Sequence, residues 1–319
     1  MATLADLAEL VRAPAALSVP GDVIAGAAAA GALSPRTPAL AGASVLLYWA
    51  GMAANDWADR RLDAEERPER PIPSGRVSPA AAVGLAAGLT AAGVGLAAAV
   101  GGRRAAALAV PLAATIWGYD LLAKNTAAGP AVMAACRGLD VLLGASGGRM
   151  TRALPAAATV AAHTWTVTAL SRREVTGADA TLPMRTLAGT ALVAASAAVA
   201  VPGARRAAFR TTNQTGATDR AETVDGTGVR AGRSRSATIA AALPAVLAGW
   251  YAARYGAAQA EVVRDPSAGR VRAAVGAGIT GLPALQGALT ARGGAGLLGV
   301  AVAAAAPLGR RLARKVSPT

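Results

Sequence analysis

Long apolar stretches alternate with short polar segments along almost the whole chain. A helix of roughly 20 apolar residues crosses a bilayer, and helices and closed barrels are the structures that satisfy their backbone hydrogen bonds in lipid. The strict apolar–polar alternation of a barrel is absent, so the pattern predicts an all-α, polytopic transmembrane helical bundle. Its candidate spans are residues 17–33, 38–55, 79–100, 104–121, 129–147, 153–170, 184–202, 237–254, 271–290 and 294–309.

The ends of this pattern are less regular than its middle. Residues 1–14 predict a short amphipathic helix on the membrane surface. The last stretches are short enough to be re-entrant or merged, so we expect nine or ten spans. Residues 203–236 lose the apolar period among Thr, Gly, Arg and Ser, which predicts a disordered polar loop within a single domain covering 1–319.

The composition favours a membrane protein over a nucleic-acid-binding protein. Hydrophobic residues make up 54% of the chain and charged residues 16%, against about 25% charged in a soluble domain. The net charge is +14, but the basic residues are nearly all arginines that lie between and beyond the apolar stretches. Orientation signals and lipid contacts lie there. No base-reading motif accompanies them, so we expect the lipid bilayer as a partner and no nucleic acid.

The basic residues also predict how the chain is oriented. With the N-terminus inside, the short loops place most of their arginine and lysine in the cytoplasm, as the positive-inside rule requires. The loop after the second span and the loop after the sixth then lie on the same cytoplasmic face of the cell membrane.

Glycine and alanine form much of the apolar surface. Gly84 and Gly88 make a GxxxG pattern inside GLAAGLTAAG. Such small residues let helices approach closely in lipid, so we expect this pair to pack against a neighbouring helix.

A dense group of carboxylates follows the second span, in NDWADRRLD. Asp56, Asp59 and Asp63 are three and four residues apart, so a helix places them on one face with Asn55 beside them. Converging carboxylates repel one another unless a cation lies between them. Oxygen ligands suit Mg²⁺, which substrate phosphates usually complete, so the motif predicts a Mg²⁺ site for a phosphorylated ligand.

Arginines follow this motif in a proline-rich loop. Arg67, Arg70 and Arg76 are suited to bidentate phosphate contacts. The positive-inside rule alone also explains arginines at this place, but it does not explain three spaced aspartates.

A second set of polar residues falls inside the spans, in WGYDLLAKN and CRGLD. Asp120 and Lys124 have i,i+4 spacing, and Arg137 and Asp140 have i,i+3 spacing. A charge in mid-membrane costs about 2.5–3.5 kcal/mol, so these groups are expected to face the bundle interior. They are either structural ion pairs or, for Lys124, a contact to a diphosphate.

A third set, SRREVTGAD, lies in the loop after the sixth span. It carries Arg172, Glu174 and Asp179. His163, deeper in that span, and the single Cys136 are expected to be packing residues, and one cysteine excludes an intramolecular disulfide.

These motifs resemble the UbiA superfamily of intramembrane prenyltransferases. NDWADRRLD matches the family's NDxxDxxxD signature at every fixed position and follows the second span, as it does in the family. RPERPIPSG is similar to the family's Arg- and Pro-rich loop, YDLLAKN to its Tyr…Lys element and CRGLD to the start of its fifth span. RAPAALSVPGD resembles the entry to the first span, so the likeness covers nearly the whole chain apart from 203–236.

The resemblance implies a bundle around a central cavity, and Mg²⁺-dependent transfer of a prenyl group from a prenyl diphosphate donor to an acceptor. By position, it implies Mg²⁺ binding by Asn55, Asp56, Asp59 and Asp63. It implies donor binding by Arg12, Arg67, Arg70, Tyr119, Lys124, Arg137 and Arg172. Asp56, Asp59 and Lys124 are the expected catalytic groups, and Asp140 is a candidate to orient an acceptor hydroxyl or to act as a base.

The loop after the sixth span departs from the family pattern. The family usually has two or more aspartates there, whereas this chain has Glu174 and Asp179 as candidate ligands of a second Mg²⁺. The SRREVTG wording is similar to an EboC-like branch. These departures leave the acceptor unidentified, and the scarcity of aromatic residues slightly favours a polar or alicyclic one.

Two other functions compete with prenyl transfer. A catalytically silent homologue would bind or translocate a prenylated or phosphorylated lipid, and the weakened second motif is consistent with that. A CDP-alcohol phosphotransferase would also use aspartates and Mg²⁺ in a membrane, but its D-G-x-x-A-R element is missing.

Overall fold

The protein is all-α throughout the part of the chain that the structure describes. This computed structural model describes residues 2–13, 18–179, 181–199 and 241–305, so the predicted disordered loop at 203–236 lies outside the described residues. Within them the ten helices are α1 (Leu4–Leu10), α2 (Pro20–Ala30), α3 (Thr37–Glu66), α4 (Pro79–Gly118, extended by a π turn Tyr119–Ala123), α5 (Gly129–Gly144), α6 (Met150–Ser171), α7 (Thr181–Ala198), α8 (241–264, with a π turn Ala252–Gly256), α9 (Ala268–Arg292) and α10 (Gly296–Ala305).

Helix ends follow local sequence signals. Proline stands in the first turn of α2, α3, α4 and α5, where its missing N–H costs no helical hydrogen bond. Ser78 caps α4 by accepting from the Ala81 N–H at 3.2 Å. Gly31 ends α2 with φ 68°, a left-handed conformation that glycine adopts without steric cost.

Helix α4 is a hairpin of two antiparallel limbs. Gly102 has φ 67° and ψ −160°, which no α-helical residue adopts. Trp117 Nε1 donates to Thr90 Oγ1 at 3.0 Å although 27 residues separate them. In a straight helix that separation is about 40 Å. The chain therefore reverses at Gly102, which agrees with the separate predicted spans 79–100 and 104–121.

Glycine lets α2 lie in backbone contact with its neighbours at the centre of the bundle. A Cβ on Gly26 would lie 1.8 Å from the Val141 carbonyl oxygen of α5, and one on Gly144 would lie 2.0 Å from the Val23 carbonyl oxygen. The predicted packing role of Gly84 and Gly88 is wrong, because both are exposed and nothing lies within 4 Å of a Cβ built on either. Their GxxxG face looks outward from the first limb of α4.

Two helices of the described chain are long and apolar enough to cross a bilayer by length and composition, Thr37–Glu66 and Pro79–Ala123. The other described helices are too short or not apolar enough to meet the same two criteria. Helix boundaries also differ from the prediction. Helix α2 is confined to Pro20–Ala30, and α3 extends eleven residues past its predicted end at 55, through NDWADRRLD. The number of spans stays a prediction.

The loops that carry the candidate chemistry meet at one end of the bundle, which we call the polar end. Lys124 bonds to Asp59, and Arg172 donates to the Thr126 carbonyl. The Ala178 N–H donates to the Pro266 carbonyl at 2.9 Å. The loops after α3, α4, α6 and α8 therefore lie together, and the predicted shared face of the second and sixth loops is confirmed.

Candidate active site

The NDWADRRLD segment forms the last turns of α3 and brings carboxylates to the polar end. The helix is continuous from Thr37 to Glu66, so the spaced aspartates share one face as predicted. Asp56 and Asp63 are buried, with 4% and 2% of their surface exposed, and Asp59 is partly buried. Asp56, Asp59, Asp63 and Asp120 are called the acidic layer below.

Arginines from two segments neutralise part of the acidic layer. Arg70 Nη1 lies 2.7 Å from Asp63 Oδ2 and 3.5 Å from Asp56 Oδ1, so it bridges two aspartates. Arg12 donates from Nη2 to Asp56 Oδ1 at 2.8 Å. Arg67 lies 3.5 Å from Asp63 Oδ1 and is more exposed. The structure therefore brings together three of the arginines that the sequence places at the donor.

Lys124 reaches the acidic layer because α4 ends in a π turn. The sequence makes Lys124 an i,i+4 neighbour of Asp120 in an α helix. The Lys124 N–H instead donates to the carbonyl of Tyr119, five residues back, at 2.9 Å. The ammonium lies 2.5 Å from Asp59 Oδ1, and Asp120 accepts from Asn55 Nδ2 at 3.2 Å. The Lys124–Asp59 and Asn55–Asp120 bonds, both between helices, thus replace the expected Asp120–Lys124 pair.

A close helix contact allows those bonds to form. A Cβ on Gly51 would lie 2.6 Å from Ile116 Cγ2 and 3.5 Å from Asp120 Oδ2, so α3 and the second limb of α4 touch there. Asn55 lies one turn after Gly51, and Asp120 lies one turn after Ile116. The same contact between helices therefore positions both Asn55 and Asp120 for their hydrogen bond.

Arg76 forms salt bridges that hold α1 beside the acidic layer, so its guanidinium is already paired with carboxylates and does not await a phosphate. Its guanidinium lies 2.7 Å from Asp6 Oδ1 and 2.7 Å from Glu9 Oε2. Asp6 also accepts from the hydroxyl and N–H of Thr3, which with Arg76 lowers the pKa of Asp6 to about 2. Arg12 follows α1 with φ 46°, a conformation that side chains other than glycine adopt rarely, and from there reaches Asp56.

The loop after α6 contributes fewer carboxylates than predicted. Asp179 accepts from the N–H groups of Thr181 and Leu182 at 3.0 and 2.8 Å, so it caps α7, and these bonds lower its pKa. Burial raises the pKa of Glu174, and Arg272 opposes that rise. With Asp179 engaged as a cap, Glu174 alone is left as a candidate ligand of a second Mg²⁺.

Arg137 pairs across helices and not with its i+3 neighbour. Its Nε lies 2.8 Å from Asp22 Oδ2 of α2, while Asp140 accepts a hydrogen bond from the Ser44 hydroxyl. Gln286 of α9 donates to Asp22 Oδ1 at 2.7 Å. Asp140 has 0% of its surface exposed, which argues against the predicted contact with an acceptor. The predicted Arg137–Asp140 pair is thus a larger structural network.

An apolar cavity of about 320 Å³ lies beside the acidic layer. Met52, one turn before Asp56, Tyr119, next to Asp120, and Ser171, the last residue of α6, border it towards the polar end. Its complete lining is Ser18, Val19, Tyr48, Trp49, Met52, Tyr119, Met133, Arg137, His163, Thr164, Val167, Thr168, Ser171, Val275, Ile279 and Leu282. A charged layer therefore lies against a mainly apolar chamber.

A sequence model of the UbiA prenyltransferase family matches residues 18–260, which include the acidic layer and the cavity-lining residues from Ser18 to Ser171. The chain belongs to the UbiA prenyltransferase family. Curated relatives with detectable similarity are digeranylgeranylglyceryl phosphate synthases. Those from Methanothrix thermoacetophila, Natronomonas pharaonis and Methanopyrus kandleri are 44%, 47% and 43% identical over 80, 79 and 76 residues. The matched part spans 24% of this chain and 28–30% of theirs.

Solved membrane proteins of the UbiA family share this fold. A structure described as digeranylgeranylglyceryl phosphate synthase in membranes superposes with a TM-score of 0.56 at 14% identity, over 87% of this chain and 97% of the other. A UbiA homologue from Aeropyrum pernix superposes with a TM-score of 0.54 at 19% identity, over 89% and 96%. This UbiA-family chain is therefore a membrane-embedded helical protein, and the likeness at such identity concerns the fold alone.

The side chains of the acidic layer suit Mg²⁺ by their chemistry. Asp56, Asp59 and Asp63 supply carboxylate oxygens from one face of α3, and the adjacent Asn55 supplies an amide oxygen; these are the hard ligands that Mg²⁺ prefers. Across the described ranges 2–13, 18–179, 181–199 and 241–305, no group of three acidic, His or Cys side chains could hold a metal ion. Within the acidic layer, each aspartate lies against a basic side chain or an amide.

Sequence reasoning missed several residues of this UbiA-family site. Asp22 is a fully buried acid in the first span. Because a charge in lipid is costly, an aspartate within an apolar stretch is the signal by which this residue could have been found. Tyr48 and Trp49 line the cavity but look like ordinary span residues. His163 packs as expected, with Nδ1 2.8 Å from the Tyr251 hydroxyl, and it also lines the cavity.

Proposed function

We propose that this protein transfers a prenyl group from a prenyl diphosphate to an acceptor within the membrane, with Mg²⁺ as cofactor. The family membership and the similarity to digeranylgeranylglyceryl phosphate synthases support this class of reaction. The matched relatives are covered over less than a third of their length, so the substrates are inferred from the site itself.

The observation that carries the proposal is the balance of charge in the acidic layer. The acidic layer has four carboxyl groups and four basic neighbours. Asp56, Asp59 and Asp63 pair with Arg12, Arg67, Arg70 and Lys124, while Asp120 accepts from Asn55. A Mg²⁺–diphosphate complex contains both signs of charge. The carboxylates can exchange their basic partners for the metal while those partners move to phosphate oxygens, and no buried charge is left unpaired. An isolated anion or an isolated cation would break that balance.

This exchange assigns a role to each side chain. Asn55, Asp56, Asp59 and Asp63 would hold Mg²⁺, which neutralises charge on the leaving diphosphate. Arg12, Arg67, Arg70 and Lys124 would bind the diphosphate oxygens. The C–O bond of the donor breaks with its electron pair leaving on diphosphate, and these fixed cations stabilise that charge where screening water is scarce.

The cavity beside the acidic layer suits the step after bond cleavage, in which the acceptor attacks the prenyl fragment. The prenyl fragment left by bond cleavage is an allylic cation, which must be kept from water until the acceptor attacks it. The apolar chamber bordered by Met52 and Tyr119 lies directly beside the acidic layer. The acceptor forms the new bond to the prenyl carbon and loses a proton.

Diphosphate release by the purified protein in lipid tests this proposal. Geranylgeranyl diphosphate is the first donor, with a pool of small cell metabolites as acceptor. We expect release that needs both Mg²⁺ and the pool, and a fall of at least 100-fold in Asp56→Asn. Asp265→Asn is the matched control, because Asp265 is an exposed acid at the same end that accepts from the Ser267 N–H.

The main competing function is a catalytically silent homologue that binds or moves a prenylated lipid. The engagement of Asp179 as a helix cap favours it, because only Glu174 is left in the second motif. Donor that binds with Mg²⁺ but is never cleaved, with every acceptor pool tried, would support that function and contradict the transferase.

A further inference from the structure

The loop after α6 carries more positive than negative charge at the place where a second metal ion would bind. It brings Arg172 and Arg173 to the polar end, and Arg272 of α9 reaches the same loop by donating to the Glu174 carbonyl at 2.8 Å. Against these three arginines the loop has two carboxylates, and Asp179 is engaged as the cap of α7. Within the described part of this loop, Glu174 is therefore the one acid left for a metal.

One carboxylate among three arginines is a poor site for a second Mg²⁺. Mg²⁺ at phosphate sites is usually held by one or two carboxylates and completed by phosphate oxygens. Glu174 meets only the lower of these counts, and the neighbouring cations repel a divalent ion. Arginines also bind directly the phosphate oxygens that would complete the coordination of the metal. The loop is thus better suited to bind a diphosphate through arginine than through a metal.

Arg172 is the arginine of this loop that lies at the mouth of the cavity. It follows Ser171, which ends α6 and borders the cavity. Its guanidinium donates to the carbonyl of Thr126, in the turn that begins just after Lys124. Lys124 in turn bonds to Asp59 of the acidic layer. Arg172 is therefore connected to the acidic layer through one short turn of the chain.

The positive charge of Arg172 is available to a ligand. No carboxylate of the described chain forms a salt bridge with it, whereas Arg12, Arg67, Arg70 and Lys124 each have one. Its hydrogen bond goes to a neutral backbone carbonyl, and a guanidinium has further N–H donors. A phosphate oxygen can thus bind to Arg172 without breaking any ion pair, in contrast to the basic side chains of the acidic layer.

A diphosphate held by one Mg²⁺ still needs a further cation. A prenyl diphosphate carries about three negative charges near neutral pH, and one Mg²⁺ neutralises two of them. The acidic layer and its basic neighbours lie around the end of α3, whereas Arg172 lies at the end of α6. Arg172 can therefore reach diphosphate oxygens that the metal at the acidic layer leaves uncovered.

We propose that the protein binds its prenyl diphosphate with a single Mg²⁺ at the acidic layer, and that Arg172 binds the diphosphate at the place where a second metal ion would lie. This inference rests on the proposed function, because it concerns how the same site binds the donor. The shortage of acid in the loop after α6 is then a replacement of metal by arginine, and not a sign of lost catalysis.

The number of metal ions bound with the donor tests this inference without catalysis. The probe is geranylgeranyl thiolodiphosphate, in which sulfur replaces the oxygen between the prenyl carbon and phosphorus and slows cleavage. Mn²⁺ replaces Mg²⁺, and its EPR signal measures free and bound ions for the full chain in phosphatidylcholine nanodiscs. We expect one Mn²⁺ per bound analogue. Two would overturn the inference and leave the proposed function standing, whereas no Mn²⁺-dependent binding of the analogue would contradict both.

Two alanine variants connect the metal count to Arg172. Arg172→Ala is expected to weaken binding of the analogue by about 10- to 100-fold and to retain one Mn²⁺, because a charged hydrogen-bond donor to the diphosphate is lost. Arg173→Ala is the matched control, with an expected change of less than about twofold, because Arg173 is an exposed arginine of the same loop. An Arg172→Ala variant with the affinity of the wild type would contradict the role of that guanidinium.

A third variant separates binding of the diphosphate from support of the loop. Arg172→Asp places a carboxylate two residues before Glu174, and we expect a second Mn²⁺ to bind with the analogue. If Arg172 only held the Thr126 carbonyl, its substitutions would weaken binding without changing the number of metal ions. One Mn²⁺ per analogue in Arg172→Asp would therefore show that Arg172 does not lie in the place of a metal.

Discussion

Single residues at the polar end are positioned by bonds between helices. Lys124 bonds to Asp59 of α3 because a π turn carries it away from Asp120. Arg70 holds two aspartates from a loop, at 2.7 and 3.5 Å. In the proposed exchange, Mg²⁺ takes the place of the basic side chain at the carboxylate, and a diphosphate oxygen takes the place of the carboxylate at the basic side chain. The site is therefore stable without substrate and still able to exchange its partners.

Asp179 gives a prediction at this scale, since it is a helix cap in the structure and a metal ligand in the sequence interpretation. Its bonds to the start of α7 lower its pKa, so its contribution to stability is fully present above the unfolded value of about 4 and is lost as the pH falls through the lower folded-state pKa. We expect Asp179→Ala to lower the melting temperature by about 2 °C at pH 7, and by progressively less as the pH falls through the lowered folded-state pKa.

Asp179→Asn is the matched control, because asparagine caps helices about as well and does not titrate in this range. The melting temperature of both variants can be followed by circular dichroism in one detergent. Prenyl transfer should stay within about twofold of the wild type in both, because the proposed reaction does not use Asp179. A loss of Mg²⁺-dependent activity in Asp179→Asn would show that the carboxylate binds metal.

Apolar periodicity predicted where the helices lie but not how they touch. The turn at Gly102 was predictable, because arginines interrupt the apolar run there. The backbone contact of Gly26 with Val141 was not, since nothing in the sequence distinguishes Gly26 from the exposed Gly84. The NDWADRRLD face was predicted from spacing. The partners of Arg137 and Lys124 depend on tertiary neighbours and a π turn, which local spacing does not encode.

Gly26 and Gly84 therefore make a matched test of helix packing. Alanine at 26 would place its Cβ 1.8 Å from a backbone oxygen of α5, so α2 must move. We expect Gly26→Ala to cost about 3 kcal/mol or more of unfolding free energy, and Gly84→Ala to be neutral or stabilising by up to about 1 kcal/mol. Unfolding in a denaturing detergent titration measures both. Similar losses in the two variants would contradict the contact between α2 and α5.

In the part of the chain that the structure describes, the two ends of the bundle differ in charge. The polar end carries both acidic and basic side chains, whereas segments 31–36, 101–104 and 145–152 and the α9 terminus at Arg292 carry arginine and no acid. A basic rim suits lipid phosphates, while the mixed end suits the exchange of ion pairs with a metal–diphosphate complex. The cavity beside the polar end then lies within reach of a water-soluble diphosphate head and a lipid-soluble tail.

The last prediction concerns which end of the protein faces the cytoplasm. The count of basic residues in the short loops places the polar end in the cytoplasm, where prenyl diphosphates and Mg²⁺ would reach it from water. Ser74 and Ser34 are exposed at the polar end and the opposite end, and the one native cysteine, Cys136, is buried. Ser74→Cys should react with an impermeant maleimide only in inside-out vesicles, and Ser34→Cys only in right-side-out vesicles, because the bilayer shields the other face. The unsubstituted chain controls for Cys136. The reverse pattern would place the acidic layer outside the cytoplasm and require the donor to arrive from the other side of the membrane.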